Sequence, residues 1–223
     1  MEEYIYLELL VEDESGKILI DEIMKKYKVN RENMQYRIHG FKGIGRIPLK
    51  NSKISSVKSH RLLNDLPNYL KGINKTIIDM PGKKAIFVIL DNDDNDCFAL
   101  KNSLVDYCNS LNLSVPVFFC IAIEEIEAWL LGDREALNEA YPNVKQQVIK
   151  NYKQDSIIGT WEILADAVYN GGVNKLKKEA TSYYEIGKEK CKWAKEIGLH
   201  MNIRNNQSPS FLYFISKLDL VCG

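Results

Sequence analysis

Zinc-type cysteine pairs, a surplus of basic charge and a membrane-length apolar run are all missing from this chain of 223 residues. Its five cysteines (Cys97, Cys108, Cys120, Cys191 and Cys222) are odd in number and widely spaced, so they read as reduced thiols. Lys plus Arg and Asp plus Glu each total 30, so the formal net charge is zero. No global field draws in nucleic acid; any such binding has to come from a local basic patch. No apolar stretch is long enough to span a bilayer, and Glu2 and Glu3 stand where a signal peptide would be basic. The expectation is a soluble, cytoplasmic protein that does not engage a membrane. His39, His60 and His200 are scattered without ligand spacing and receive no role.

What is present is ordinary in bulk: 45% hydrophobic and 27% charged residues, as in globular proteins. The length suits one substantial core with a smaller helical extension. The informative feature is local. The apolar run from Ala85 to Leu90 reads as a buried strand, and it ends abruptly in Asp91-Asn92-Asp93-Asp94-Asn95-Asp96. Four carboxylates in that loop repel one another unless a cation sits among them. Oxygen-only ligands favour Mg²⁺, Mn²⁺ or Ca²⁺ over zinc. A solvated Asn/Asp turn is the plain alternative. An EF-hand is excluded, because Asp96 occupies the position that needs glycine and Asn102 the position of the bidentate glutamate.

Patterning predicts strands over 4–11, 35–39, 85–90 and 115–123, with helices over about 17–27, 62–78 and 98–111 between them. That alternation predicts an α/β fold of Rossmann type, a mainly parallel sheet with helices on both faces. Functional groups in such sheets gather at the carboxyl ends of the strands. Here Glu12, Asp91 with Asp93, and Glu124 with Glu125 all follow predicted strands. From Arg134 the β-branched runs give way to lysines and short helical periods, so residues 1–133 are expected to form the α/β core and 134–223 an all-helical extension packed on it. Ser208 and Pro209 are suited to cap a last helix.

Val11-Glu12 and Leu90-Asp91-Asn92-Asp93 resemble the two motifs of TOPRIM domains, which are shared by topoisomerases, primases and several nucleases. The chain is more closely similar to a bacterial TOPRIM-like family of the OLD-nuclease type. The residues that carry this likeness are Val11-Glu12-Asp13-Glu14, Gly43-Ile44-Gly45, Asp91-Asn92-Asp93 with Cys97, the stretch Glu125-Ile126-Glu127-Ala128-Trp129-Leu130-Leu131-Gly132-Asp133, and Ser208-Pro209-Ser210-Phe211. The resemblance implies a TOPRIM-like core and a stand-alone protein of the kind encoded beside ATPases in bacterial defence loci, with an AAA- or ABC-type ATPase as partner. One departure is Gly16, which stands where relatives often carry a second glutamate.

Phosphoryl transfer needs the charge on phosphate oxygens neutralised, which carboxylate-bound Mg²⁺ or Mn²⁺ does. Asp91 and Asp93 are assigned as metal ligands, with Glu125 completing the set. Glu12 is the general acid/base or a third ligand. Asp13, Asp96 and Glu127 are expected around them. Glu125 and Glu127 have a plainer reading as first-turn acids favoured by the helix dipole. Trp129 reads as core, within an i, i+3, i+4 stripe with Ile126 and Leu130, and Asp133 as a possible N-cap. Lys42, Arg46, Lys50 and Lys53, with Lys58 and Arg61, make the best phosphate-contacting patch, or else a solvated basic loop. Gly43-Ile44-Gly45 lacks the rest of either nucleotide motif and reads as a turn. A receiver domain and a haloacid-dehalogenase phosphatase both fail on the position of Asp91. The expected function is a Mg²⁺-dependent nuclease acting on DNA or RNA, with a non-catalytic binding or regulatory module as the alternative.

Overall fold

A computed structural model describes residues 3–48, 59–155 and 159–223. Lys50, Lys53 and Lys58 of the expected basic patch lie outside the described residues. Four strands, β1 (Ile5–Val11), β2 (Met34–Gly40), β3 (Lys83–Asp91) and β4 (Val117–Ala122), form one sheet in the order β2-β1-β3-β4. Every pair is parallel. The connections are the helices α1 (Glu14–Lys28), α2 (Leu62–Ile77) and α3 (Cys97–Asn109). Parallel strands need such crossovers, and these place helices on both faces of the sheet. The fold is therefore α/β of Rossmann type.

The central strands β1 and β3 are apolar in nearly continuous runs because both of their faces are covered. Leu7, Leu9, Phe87 and Ile89 face one way, into a core shared with α1. Leu10, Ile86, Val88 and Leu90 face the other way, onto Leu63, Leu66 and Leu70 of α2 and Leu104 of α3. Helix α1 begins three residues before the position expected from apolar spacing. The cause is Asp13, whose carboxylate accepts the Gly16 N–H at 2.7 Å and so caps an earlier first turn.

Beyond β4 the chain is helical: α4 (Glu127–Leu131), α5 (Arg134–Ala140), α6 (Gln146–Asn151), α7 (Thr160–Val168), α8 (Gly172–Glu179), α9 (Tyr183–His200) and α10 (Pro209–Cys222). Asp133 caps α5 through the Ala136 N–H at 3.0 Å, and Ser208 caps α10 through the Phe211 N–H at 3.2 Å. These helices do not build a separate core. Phe211, Phe214 and Leu218 of α10 and Trp193 and Ile197 of α9 belong to the same apolar cluster as β1, β3 and α1. Helix α10 packs directly on β3 and β4, so the last segment of the chain covers half of one sheet face. Trp129 is fully buried there, stacked on Phe214 with ring centroids 5.5 Å apart, and donates its indole N–H to Ser210 at 2.9 Å. Among the described residues no helix is long and apolar enough to cross a membrane.

Candidate functional site

The register of the sheet decides which acids meet. Val11 pairs with Ile89 across β1 and β3, and Asp91 pairs with Ala122 across β3 and β4. The residues just past these pairs emerge side by side at the carboxyl edge. Glu12 continues the ladder, its N–H donating to Ile89 at 3.1 Å. Its side chain then turns back over β3, where one carboxylate oxygen accepts the Asp91 N–H at 3.0 Å.

The acidic loop is shaped by its two asparagines. Asn92 is buried, and its amide donates to the Asn95 carbonyl at 2.5 Å. Asn95 returns a bond to the Asn92 carbonyl at 2.8 Å. Asn92 alone is tied inward, and Asp93 and Asp94 are exposed. Asp93 takes a left-handed φ of 46°, a conformation that aspartate tolerates better than most residues. Its N–H meets the carbonyl of Glu124 at 2.9 Å, and Glu124 is itself left-handed at 62°. The loops after β3 and β4 therefore turn together.

Each expected acid has a definite place. Asp13 caps α1, and Asp96 caps α3 by accepting the Ala99 N–H at 2.8 Å. Asp96 thus serves the first turn of α3 through one of its oxygens. Glu124 is buried and holds the start of α7, accepting from the N–H of Gly159 and from both the N–H and hydroxyl of Thr160. Glu125 accepts the Trp161 N–H at 3.2 Å and lies 3.4 Å from the Lys190 ammonium. Glu127 is wholly buried, with Oε2 ion-paired to the Lys190 ammonium at 3.2 Å.

Lys190, from the middle of α9, is the residue that sequence reasoning missed. It sits 65 positions from Glu125, in a lysine-rich helix where nothing marks it out from Lys188 or Lys192. Burial alone would lower its pKa, but Glu127, Glu125, Asp91 and Asp13 outweigh it and hold the ammonium well above the usual lysine range. The acids show the converse. Burial pushes Glu12 up to about 7, helped by Asp93 and Asp13. It does the same to Glu125, where Glu127 adds to the effect. Asp91 is driven well above the ordinary carboxylate range by burial and then by Glu12, Asp13 and Glu127. Burial also raises Glu127, and Asp93 is raised by partial desolvation of its carboxyl, with Asp94 beside it. Among the described residues these carboxylates outnumber the ammonium of Lys190.

Among the described residues no group of three or more His, Cys, Asp or Glu side chains converges closely enough to enclose a metal ion. The donor chemistry nevertheless fits Mg²⁺, which binds through one or two carboxylates and keeps several waters rather than needing an all-protein cage. The raised pKa values of Glu12, Asp91 and Glu127 mark an edge short of positive charge.

The basic loop comes to the same edge. Gly43 donates its N–H to the Glu12 carbonyl at 2.9 Å, and Lys42 donates its own to His60 at 2.7 Å. Gly45 has a φ of 71°, and a Cβ there would lie 2.1 Å from the Asn64 side chain, so the loop requires glycine at that point. Lys42 and Arg46 are exposed. A cavity of about 430 Å³ between β1, β2 and α2 holds His39, whose Nε2 lies 2.6 Å from buried Glu8; its lining includes none of the edge acids.

No curated protein and no solved structure matches the chain. A family described as Domain of unknown function (DUF4276) matches residues 11–219, from the end of β1 to the last turns of α10, and the chain belongs to that family.

Proposed function

We propose that this protein is a Mg²⁺- or Mn²⁺-dependent TOPRIM-like nuclease, acting in the cytoplasm and hydrolysing phosphodiester bonds of DNA or RNA. The observation that carries the reading is the meeting of Glu12 and Asp91 across adjacent parallel strands, joined by the 3.0 Å bond from the Asp91 N–H. Asp91 and Asp93 would hold the metal, with Glu125 completing the set and Glu127 beside them. Bound there, the ion supplies charge neutralisation at the phosphate and a more acidic water. Glu12, with a pKa near 7, is suited to accept a proton from water and pass it to the departing oxygen at neutral pH. Lys42 and Arg46 stand where a phosphate backbone would be steadied. The free thiols and the absence of a membrane-length helix among the described residues suit the cytoplasm. An AAA- or ABC-type ATPase partner is part of the proposal.

Lys190 favours a second reading. A protein cation already placed among Glu125, Glu127 and Asp91 supports a binding or regulatory module that needs no metal. Cleavage assays on labelled single- and double-stranded DNA and RNA, with Mg²⁺ or Mn²⁺, separate the two. The nuclease reading expects cutting that stops in Asp91→Ala and Glu12→Ala while circular dichroism stays native. Wild type that cuts nothing, with or without an added ATPase partner, leaves the module.

A further inference from the structure

The direction of α9 relative to α1 sets up a feature that the acids alone do not explain. Lys190 lies among charges at the start of α1, including Asp13. Further along, Gly198 packs against Leu19 and Glu22, and Lys26 donates to the Leu199 carbonyl at 2.7 Å. The two helices therefore run side by side in the same direction. Residues 183–189 of α9 extend past the start of α1, and so past the carboxyl edge of the sheet. At 1.5 Å per residue, Tyr183 stands about 10 Å beyond Lys190, two turns along the same face.

Tyr183 is 86% exposed and its neighbour Tyr184 72% exposed. Nothing lies within 4 Å of a Cβ built at Gly187, one turn below them, so the space beside the projecting helix is open. On the opposite side of the sheet, Phe98 in the first turn of α3 is 81% exposed, two residues after the acidic loop. Among the described residues the other large hydrophobic side chains left exposed are aliphatic: Val29, Ile78, Val105, Leu199, Leu212 and Leu220. The three exposed aromatics are all on elements that border the acid edge.

We propose that Tyr183 and Tyr184, with Phe98 across the edge, form a stacking platform for unpaired bases, so that the substrate is a single-stranded nucleic acid or a single-stranded segment of one. The inference rests on the nuclease reading above and names the substrate class of the same site. Stacking is sequence-tolerant because every base has a π-face, and duplex bases are not available to it. The cations near the platform are set among acids, with Glu185 in the same first turn of α9 and exposed Asp93, Asp94 and Asp96 just before Phe98. The divalent ion of the nuclease reading would be what makes this edge receptive to a polyanion. Lys188 lies 4.7 Å from the centre of the Tyr184 ring, and exposed Lys42 adjoins Gly43, whose N–H bonds the Glu12 carbonyl on the side of β2. The backbone would then run from the basic loop across the acids, with bases turned onto the tyrosines.

The test is fluorescence anisotropy with labelled single-stranded DNA, single-stranded RNA and a matched DNA duplex, using Ca²⁺ in place of Mg²⁺ to hold back cleavage. A Tyr183→Ala/Tyr184→Ala double variant of the full chain is expected to lose roughly a hundredfold in single-strand affinity, about tenfold for each base that no longer stacks. Duplex affinity is expected to hold, and Tyr183→Trp/Tyr184→Trp to bind single strands as well as wild type. Comparing DNA and RNA then shows which strand is preferred. Unchanged single-strand affinity in the double variant, or an equal loss for the duplex, overturns the platform while leaving the nuclease reading in place. Wild type that binds and cuts neither form removes the nuclease reading itself, and the platform with it.

Discussion

In metal-free protein the acid edge should oppose folding at neutral pH, and Glu12 is the place to measure it. Glu12 has its pKa raised from 4.5 to about 7, chiefly by burial. A carboxyl that holds its proton more tightly when folded contributes its full stability below the unfolded value. That contribution is lost as pH rises from about 4.5 through about 7, where the folded protein must ionise a group poorly placed to carry charge. A displacement of this size corresponds to about 3 kcal/mol, and partial solvent access at the edge reduces the expectation to about 2 kcal/mol.

Glu12→Gln isolates this effect. The amide stays neutral at every pH, and its oxygen still accepts the Asp91 N–H, so the geometry is retained. With chelator present, urea denaturation followed by circular dichroism is expected to show the variant more stable than wild type by about 2 kcal/mol at pH 8 and no more stable at pH 4. Added Mg²⁺ should stabilise wild type more as pH rises and the variant much less, since a divalent ion offsets the repulsion that glutamine has already removed. A variant equally destabilised at both pH values would refute the reasoning. It would mean that Glu12 is not held against its charge and that the carboxylate is an ordinary satisfied acceptor.

Lys190→Met removes the buried ammonium beside Glu125 and Glu127 and should cost about 3 kcal/mol at pH 8, by denaturant midpoint. The cost should shrink by pH 5, where the carboxyls left behind take up protons; equal losses at both pH values would contradict the placement of Lys190. Glu124→Ala strips the acceptor from the start of α7 and should lower stability by about 2 kcal/mol. Hydrogen exchange should localise that loosening to α7 rather than the sheet, and uniform loosening would count against Glu124 as a local cap.

The sheet was legible because its signals are short-range. Unbroken apolar runs at β1 and β3 require cover on both faces, and the spacing between runs leaves room for a helix and little else. The acids were legible for the same reason, since parallel strands bring their carboxyl ends to one edge whatever the order of the strands. What escaped was the work done by single side chains at element ends. Asp13, Asp96 and Glu124 all sit in the acid-rich segments that drew attention, yet each hydrogen-bonds the first turn of a helix. Composition registers such residues as charge and does not say whether that charge faces a ligand or a backbone N–H.

The larger gap concerns the helical extension. The change of composition at Arg134 predicts a helical extension packed on the core without saying where it docks; α10 packs on β3 and β4, and Trp193 of α9 joins the core of α1. Sheet-facing residues of a helix are apolar whichever strand they meet, so their pattern does not say where they dock. Lys190 follows from that docking. Helix α9 lies along α1 with Gly198 against Glu22, where a Cβ would come within 3.2 Å of the glutamate side chain. This close approach sets the position of the helix along its neighbour. One more turn of slip would carry Lys190 about 5 Å away from Glu125 and Glu127. Gly198→Leu is therefore expected to displace α9 and separate Lys190 from the acids. A pH–stability profile approaching that of Lys190→Met would show it; a wild-type profile would mean that the contacts of α5 with α9 hold the helix without the glycine.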